Sequence, residues 1–250
     1  MNQQIQSAYL APEGLTEPLL NELEGVIAVH DRLILSSQPA KNAYWAQNIW
    51  RNPQTLPIDS INDAAKKLKI IQRNWCLYSY HLHRRAQLIL EKLPSIKFKP
   101  VVFPSSLPQV PLGTFTLLDE NTLLASADCS SPFPNGEAHF IEDKEGPPNR
   151  AYLKLYEALT LAGKQPQPGE FCIDVGGSPG GWAWVIHQCG AEVLSIDRSP
   201  LDPSISNLQG ISFQKRDAFT LLPDEFQAQD RRIDWLFSDL ICYPEKLYEW

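Results

Sequence analysis

Apolar positions change period several times along the first half of the chain. "IQSAYLA" reads as a strand, a helical run opens near Pro12 or Glu13 and stops at Gly25, and "VIAVHDRLILSS" then alternates as a strand pair or one bent strand. Ser60 with Asp63 three residues on has the form of a capping box. Ile61, Ala64, Leu68 and Ile71 follow at helical spacing and leave Lys66, Lys67 and Lys69 off the apolar stripe. Five prolines between Pro94 and Pro111 predict an extended connector, and "TFTLLDENTLLASA" predicts a hairpin around Asp119-Glu120-Asn121. The turn-rich stretch "SPFPNGEAHFIEDKEGPPNR" separates a domain of residues 1–140 from one of residues 141–250.

Beyond Pro147-Pro148-Asn149 the pattern changes character. It predicts a helix over 149–162, strand "FCIDV", a glycine loop, a helix over 181–189, and strands "EVLSI", "ISFQ" and "IDWLFSDL". Strands alternating with helices form a parallel sheet covered on both faces, so the fold class is α/β and Rossmann-like, preceded by a smaller α+β domain. "IDWLFSDL" is apolar on both faces, as an interior strand is, and "YPEKLYEW" reads as the first turns of a helix. The sheet is therefore expected to be incomplete at the C-terminus, and the chain to be a truncated piece, inactive by itself.

Composition narrows the class. The chain has 250 residues, 43% of them hydrophobic, enough for one large or two small cores. No window approaches the ~18 apolar residues that span a bilayer, and "MNQQIQSAYL" lacks the features of a signal peptide, so a cytoplasmic protein with no membrane partner is expected. Five scattered cysteines without a CxxC pair fit reduced thiols, and no metal site is expected. Net charge is −7, but Lys66 to Lys99 holds nine Lys or Arg against the single acid Glu91, which makes that segment +8 and the rest −15. Trp75, Tyr78, Tyr80, Phe98 and Phe103 lie in or beside it, the mixture that neutralises phosphates and stacks on unpaired bases. Lys66, Lys67, Lys69, Arg73, Arg84 and Arg85 are the candidate RNA-binding residues; a solvated helix face is the alternative. His81 and His83, with no third ligand in view, are RNA-facing or structural.

The candidate chemistry centres on "CIDVGGSPGGWAWVI", whose glycines follow one apolar run and open another. A loop there lies at the carboxyl end of its strand, where open α/β sheets bind ligands, and a following helix N-terminus would favour an anionic group. A dinucleotide and S-adenosylmethionine compete. Gly176-Gly177-Ser178-Pro179-Gly180-Gly181 contains no GxG triplet, which weakens the NAD reading. Asp197 could accept from ribose hydroxyls in either case, Asp217 could accept from an adenine amino group, and Asp174 would face a cationic group well and a pyrophosphate badly.

"PPNRAYLKLYEAL", "DVGGSPGGW", "SIDRSP", "KRDAF" and "DWLFSDL" in this order resemble the FtsJ-like RNA ribose 2′-O-methyltransferases, and among them the RlmM-type group that modifies a cytidine of large-subunit ribosomal RNA. The resemblance covers residues 130–250; the N-terminal part is similar to a shortened form of that group's ferredoxin-like and THUMP region. It implies an S-adenosylmethionine site with Gly180, Trp182, Asp197, Asp217 and Asp239, and places Lys154 and Asp239 in a Lys-Asp-Lys-Glu catalytic set. In that chemistry a neutral lysine takes the 2′-hydroxyl proton as the sulfonium methyl approaches. The full expected cofactor set is Asp174, Gly176, Gly177, Ser178, Pro179, Gly180, Gly181, Trp182, Asp197, Asp217 and Asp239. Lys154 could instead be a surface ion pair with Glu157, and at least one of Trp182 and Trp184 should be core. Lys246 and Glu249 come too soon after Asp239 to match the third and fourth catalytic positions, which favours as alternative an idle methyltransferase-like module that holds RNA or cofactor.

Overall fold

The computed structural model describes residues 4–222, 225 and 232–250, and the chain divides into two compact units, residues 1–100 with 108–139, and residues 101–107 with 140–250.

The first unit is built on two sheets. Strands β1 (Ser7–Leu10), β2 (Val26–His30), β3 (Leu33–Ser36), β4 (Asn48–Arg51) and β9 (Asp128–Cys129) form an antiparallel sheet in the order β2-β3-β1-β4-β9. Alternation explains why its central strands are buried on both sides: Ala8, Leu10, Leu33, Leu35 and Trp50 enter one cluster, Tyr9, Ile34 and Ile49 the other. The second cluster includes Leu19 of helix α1 (Thr16–Glu22), which is shorter than expected because Gly14 turns at φ 75° before it. "VIAVHDRLILSS" is a strand pair, turning at Asp31 with φ 56°.

The other sheet of this unit has the order β5-β8-β7-β6, from β5 (Gln54–Pro57), β6 (Trp75–Leu77), β7 (Gly113–Asp119) and β8 (Thr122–Ser126). The expected hairpin is β7-β8; β6 joins β7 in parallel. Helices α2 (Ile61–Ile71) and α3 (His83–Glu91) cover one face, with Ala64, Leu68, Ala86 and Ile89 packed on Phe115, Leu117, Leu123 and Ala125. Ser60 Oγ accepts from Asp63 N–H at 3.1 Å, and Asp63 accepts from Asp59 N–H, so α2 is capped where the sequence places it. Strands β4, β5, β6 and β9 carry too few residues to be read beforehand, whereas α3 has Ala86, Ile89, Leu90 and Leu93 at helical spacing, a signal that the sequence reading did not use.

The second unit is a parallel sheet in the order β12-β11-β10-β13, from β10 (Phe171–Val175), β11 (Glu192–Asp197), β12 (Ile211–Lys215) and β13 (Trp235–Ser238). Along β10, Phe171, Ile173 and Val175 enter one core with Ile196, Ala218 and Leu221, and Cys172 enters the other. That other core holds helices α4 (Tyr152–Ala162) and α5 (Gly181–Gln188) through Tyr152, Leu155, Tyr156, Trp184 and Ile186. Helix α4 starts later than expected because Asn149 Oδ1 accepts from Ala151 N–H at 3.1 Å and holds residues 149–151 in a turn. The connector contributes Phe103, stacked on Tyr156 with centroids 4.1 Å apart. Short helices α6 (Pro203–Ser206) and α7 (Pro244–Glu249) complete the described elements. Among the described residues β13 pairs with β10 alone, and Leu236 is 59% exposed, so the strand with an interior pattern lies at an edge. No helix among the described residues is long and apolar enough to cross a membrane.

Candidate functional site

The carboxyl ends of β10, β11 and β13 open on one cavity of about 320 Å³, within the ~300–1,000 Å³ usual for small-molecule sites. Topology puts it there: β11 and β12 follow β10 on one side and β13 returns to its other side, so the strand order reverses at β10. Lys154, Gly176, Ser178, Asp197, Asp217 and Asp239 all line it.

Asp197 ends β11, and its two oxygens are shared between loops: Oδ2 accepts from Ser178 N–H at 3.1 Å and Oδ1 from Ser199 N–H at 2.9 Å. Each oxygen has a second lone pair, so the carboxylate can still accept from a ligand hydroxyl. Asp217 caps a short turn by accepting from Phe219 N–H at 3.1 Å. Lys154 does not pair with Glu157. Its Nζ lies 2.9 Å and 3.1 Å from the two oxygens of Asp239, an ion pair bridging residues 85 apart in sequence. The Lys154 side chain is 65% exposed, and such a pair contributes only ~0.2–1 kcal/mol. The aromatic packing of Tyr152, Tyr156 and Trp184 therefore holds α4, and the ion pair is available for chemistry.

The other expected residues do not line the cavity. Asp174 is wholly buried behind the cavity wall; its neighbours are Ser195 and the backbone of the loop. A Cβ on Gly177 would stand 2.2 Å from Asp174 Oδ2 and from Ser195 Oγ, one on Gly181 2.4 Å from Asn149 Oδ1, and one on Gly180 2.8 Å from Ile205. Side chains are excluded at these positions by the protein itself. Pro179 lies between them, and Trp182 donates its indole N–H to Ala151 O at 2.9 Å, which fastens α5 to the turn before α4. The first turn of α5 is thus packed against protein at Gly181 and Trp182. Trp184 is core, 7% exposed.

Seven lining residues escaped the sequence reading: Ile196, Arg198, Arg216, Ala218, Phe219, Leu240 and Ile241. Arg198 directly follows Asp197, and Arg216, Ala218 and Phe219 flank Asp217, so adjacency to a strand-end acid was the available signal. Arg216 Nε donates to Thr220 Oγ1 at 2.8 Å and Nη2 to Glu225 Oε1 at 2.8 Å. Lys246 Nζ lies 3.9 Å from the centroid of the Phe219 ring, which packs edge-on against Trp250. The cavity wall therefore alternates three carboxylates with Lys154 and two arginines. That mixture suits a zwitterionic ligand that also carries a cationic centre better than a pyrophosphate.

In the first unit, Lys66, Lys69, Arg73 and Arg84 are exposed. Lys67 is not free: its ammonium donates to Asp63 Oδ2 at 2.8 Å and to Pro57 O at 2.6 Å, and it holds the Asp63 carboxyl below its ordinary range. Arg85 is half-buried on α3. His83 Nδ1 lies 2.8 Å from Ser79 Oγ, and no group of three metal-ligating side chains occurs among the described residues.

Residues 147–245 match the FtsJ-like methyltransferase family. Curated relatives carry the name ribosomal RNA large subunit methyltransferase M. The protein of Halorhodospira halophila is 37% identical over 101 residues, 39% of this chain and 28% of its own. That of Alkalilimnicola ehrlichii is 32% identical over 50% of this chain and 34% of its own, and that of Azoarcus sp. 28% identical over 63% and 42%. The matches thus span less than half the length of these relatives. The parallel sheet, the cavity at its carboxyl end and the Lys154–Asp239 pair fall where this similarity lies, so the part of the chain that resembles the FtsJ-like methyltransferases and ribosomal RNA large subunit methyltransferase M is the part that builds the site.

Proposed function

We propose that this chain serves S-adenosylmethionine-dependent 2′-O-methylation of RNA ribose, with large-subunit ribosomal RNA as substrate. The observation that carries the reading is Lys154, held on Asp239 at the mouth of a cavity that also contains Asp197 and Asp217. The cofactor supplies the methyl group on a sulfonium. Asp197 accepts from its ribose hydroxyls and Asp217 from its adenine amino group. Asp239 fixes the Lys154 amine beside the cavity, and that amine, when neutral, receives the proton of the attacking 2′-hydroxyl. The substrate class comes from the names of the relatives, and the exposed basic residues of the first unit give a polyanion something to bind. A second reading, a module that binds without turnover, is favoured by one observation: Lys154 is the only lysine among the described residues lining the cavity.

Calorimetry separates these readings from a dinucleotide enzyme. Saturable binding of S-adenosylmethionine is expected, weakened by about 1.5–3 kcal/mol in Asp197→Ala through loss of charge-assisted hydrogen bonds. Saturable NAD binding without S-adenosylmethionine binding would overturn the proposal. Methyl transfer to deproteinised ribosomal RNA then separates enzyme from idle module. In the longest reading frame that contains this chain, Lys154→Ala should abolish turnover and leave cofactor affinity nearly unchanged, because its role is confined to the transition state.

A further inference from the structure

A groove in the first unit is walled by α3 on one side and by β6, the edge strand of its sheet, on the other. We propose that it binds an unpaired stretch of RNA, an inference that rests on the RNA reading above and assigns the contact to a surface other than α2. The groove encloses about 690 Å³, and every residue lining it except Pro134 comes from the span Trp75 to Phe98, inside the +8 segment.

Its chemistry is divided as an unpaired strand requires. The lining is apolar at Leu77, Leu90, Leu93 and Ile96, and Phe98, 49% exposed, places an aromatic ring within it. Cations stand around it: Lys92, Lys97 and Lys99 are exposed, the last two flanking Phe98, and Arg84 precedes the lining residue Gln87 by three positions on α3 and so shares its helix face. Glu91 is the one acid in the lining, and its carboxylate accepts from Gln87 Nε2 at 3.5 Å. Ser79, at the wall, is 2.8 Å from the His83 ring nitrogen, which adds a polar group.

Bases need an apolar or aromatic face to stack on, and phosphates need cations within reach. A duplex hides its base faces, so only unpaired nucleotides use both properties at once. An apolar peptide would use the lining and gain nothing from the lysines. Beside the lysines of α2 the exposed apolar surface is Ile70 and the helix carries no aromatic ring, and Lys67 is already engaged by Asp63.

The test is fluorescence anisotropy of the 250-residue chain with a labelled unpaired oligoribonucleotide of mixed sequence, and with the same sequence in a duplex. Phe98→Ala, at an exposed connector position where folding is unaffected, should weaken unpaired RNA about tenfold, as expected for one lost base–aromatic stack. The double variant Lys97→Ala/Lys99→Ala should flatten the dependence of log affinity on log salt by up to about 1.4, at ~0.7 per lost phosphate contact. Lys66→Ala/Lys69→Ala should change neither by as much. RNA binding that is unaltered in the groove variants but falls with the α2 variant would overturn the groove and leave the RNA reading standing. Equal binding of duplex and unpaired RNA, or a groove occupied by apolar peptide and not by RNA, would also overturn it. No RNA binding by the unaltered chain would overturn both.

Discussion

Asp174 shows what burial does to one side chain. It is enclosed where β10 meets the glycine loop, and among the described residues its Oδ1 has no hydrogen-bond partner. Burial pushes its carboxyl from 3.8 up to about 7; a hydrogen bond from Ser195 opposes this, while the charges of Asp239 and Asp197 add to it. Unfolded, the group ionises near 3.8, so between that pH and about 7 the folded state keeps a proton that the unfolded state has lost. The linkage slope is negative there: the stability tied to this proton is fully present below 3.8 and is lost as pH rises to about 7. Thermal unfolding across that window should show this decline, and Asp174→Asn, which cannot ionise, should flatten it. An identical slope in the variant would remove Asp174 as the cause.

At the scale of an element, the glycine loop works by close packing of protein on protein. Gly177 approaches Asp174 and Ser195 so closely that Gly177→Ala should destabilise by about 1–3 kcal/mol or more, the usual cost of overpacking. Ser195→Ala should recover part of this in the double variant by removing one of the two clashing oxygens. Gly169→Ala offers a contrast: with φ 88° and nothing within 4 Å, its cost is backbone strain alone. Chemical denaturation of the unaltered chain, the three single variants and the double variant measures the difference, and additive costs for Gly177→Ala and Ser195→Ala would show that the clash does not govern the site. Helix α4 teaches a related point, since its stripe of Tyr152, Leu155, Tyr156 and Leu159 faces the core and leaves Lys154 on the side that meets β13.

At the scale of the whole molecule, the exposed edge is β13. It has apolar side chains, among the described residues pairs on one side only, and carries Leu236 at 59% exposure, without the charge or proline that usually protects such an edge. The 250-residue chain is therefore expected to self-associate as concentration rises, and Leu236→Lys to suppress this without loss of fold. Sedimentation velocity over a concentration series checks both; a monomer at all concentrations, or equal association by the variant, would exclude the edge as the cause.

The order of strands and of the two longer helices from Asn149 onward could be read from the sequence alone, because the strands are short runs separated by segments bounded by Gly, Pro or Asn; the four-residue helix α6 was read as a loop. Asp197, Asp217 and Asp239 were legible as candidates for a related reason, since a residue at or just after the end of a parallel strand is directed to the crevice, whereas Lys154, inside α4, was singled out only by the family resemblance. Tertiary structure decided the rest. Whether Lys154 meets Glu157 three residues along its own helix or Asp239 across the sheet depends on how α4 packs, which no local period encodes. The glycines are required by Asn149, Ser195 and Ile205, residues whose proximity exists only after folding. The groove beside α3 likewise needs β6 and the connector brought together, and β6, at three residues, is a strand only because β7 supplies its hydrogen-bond partners.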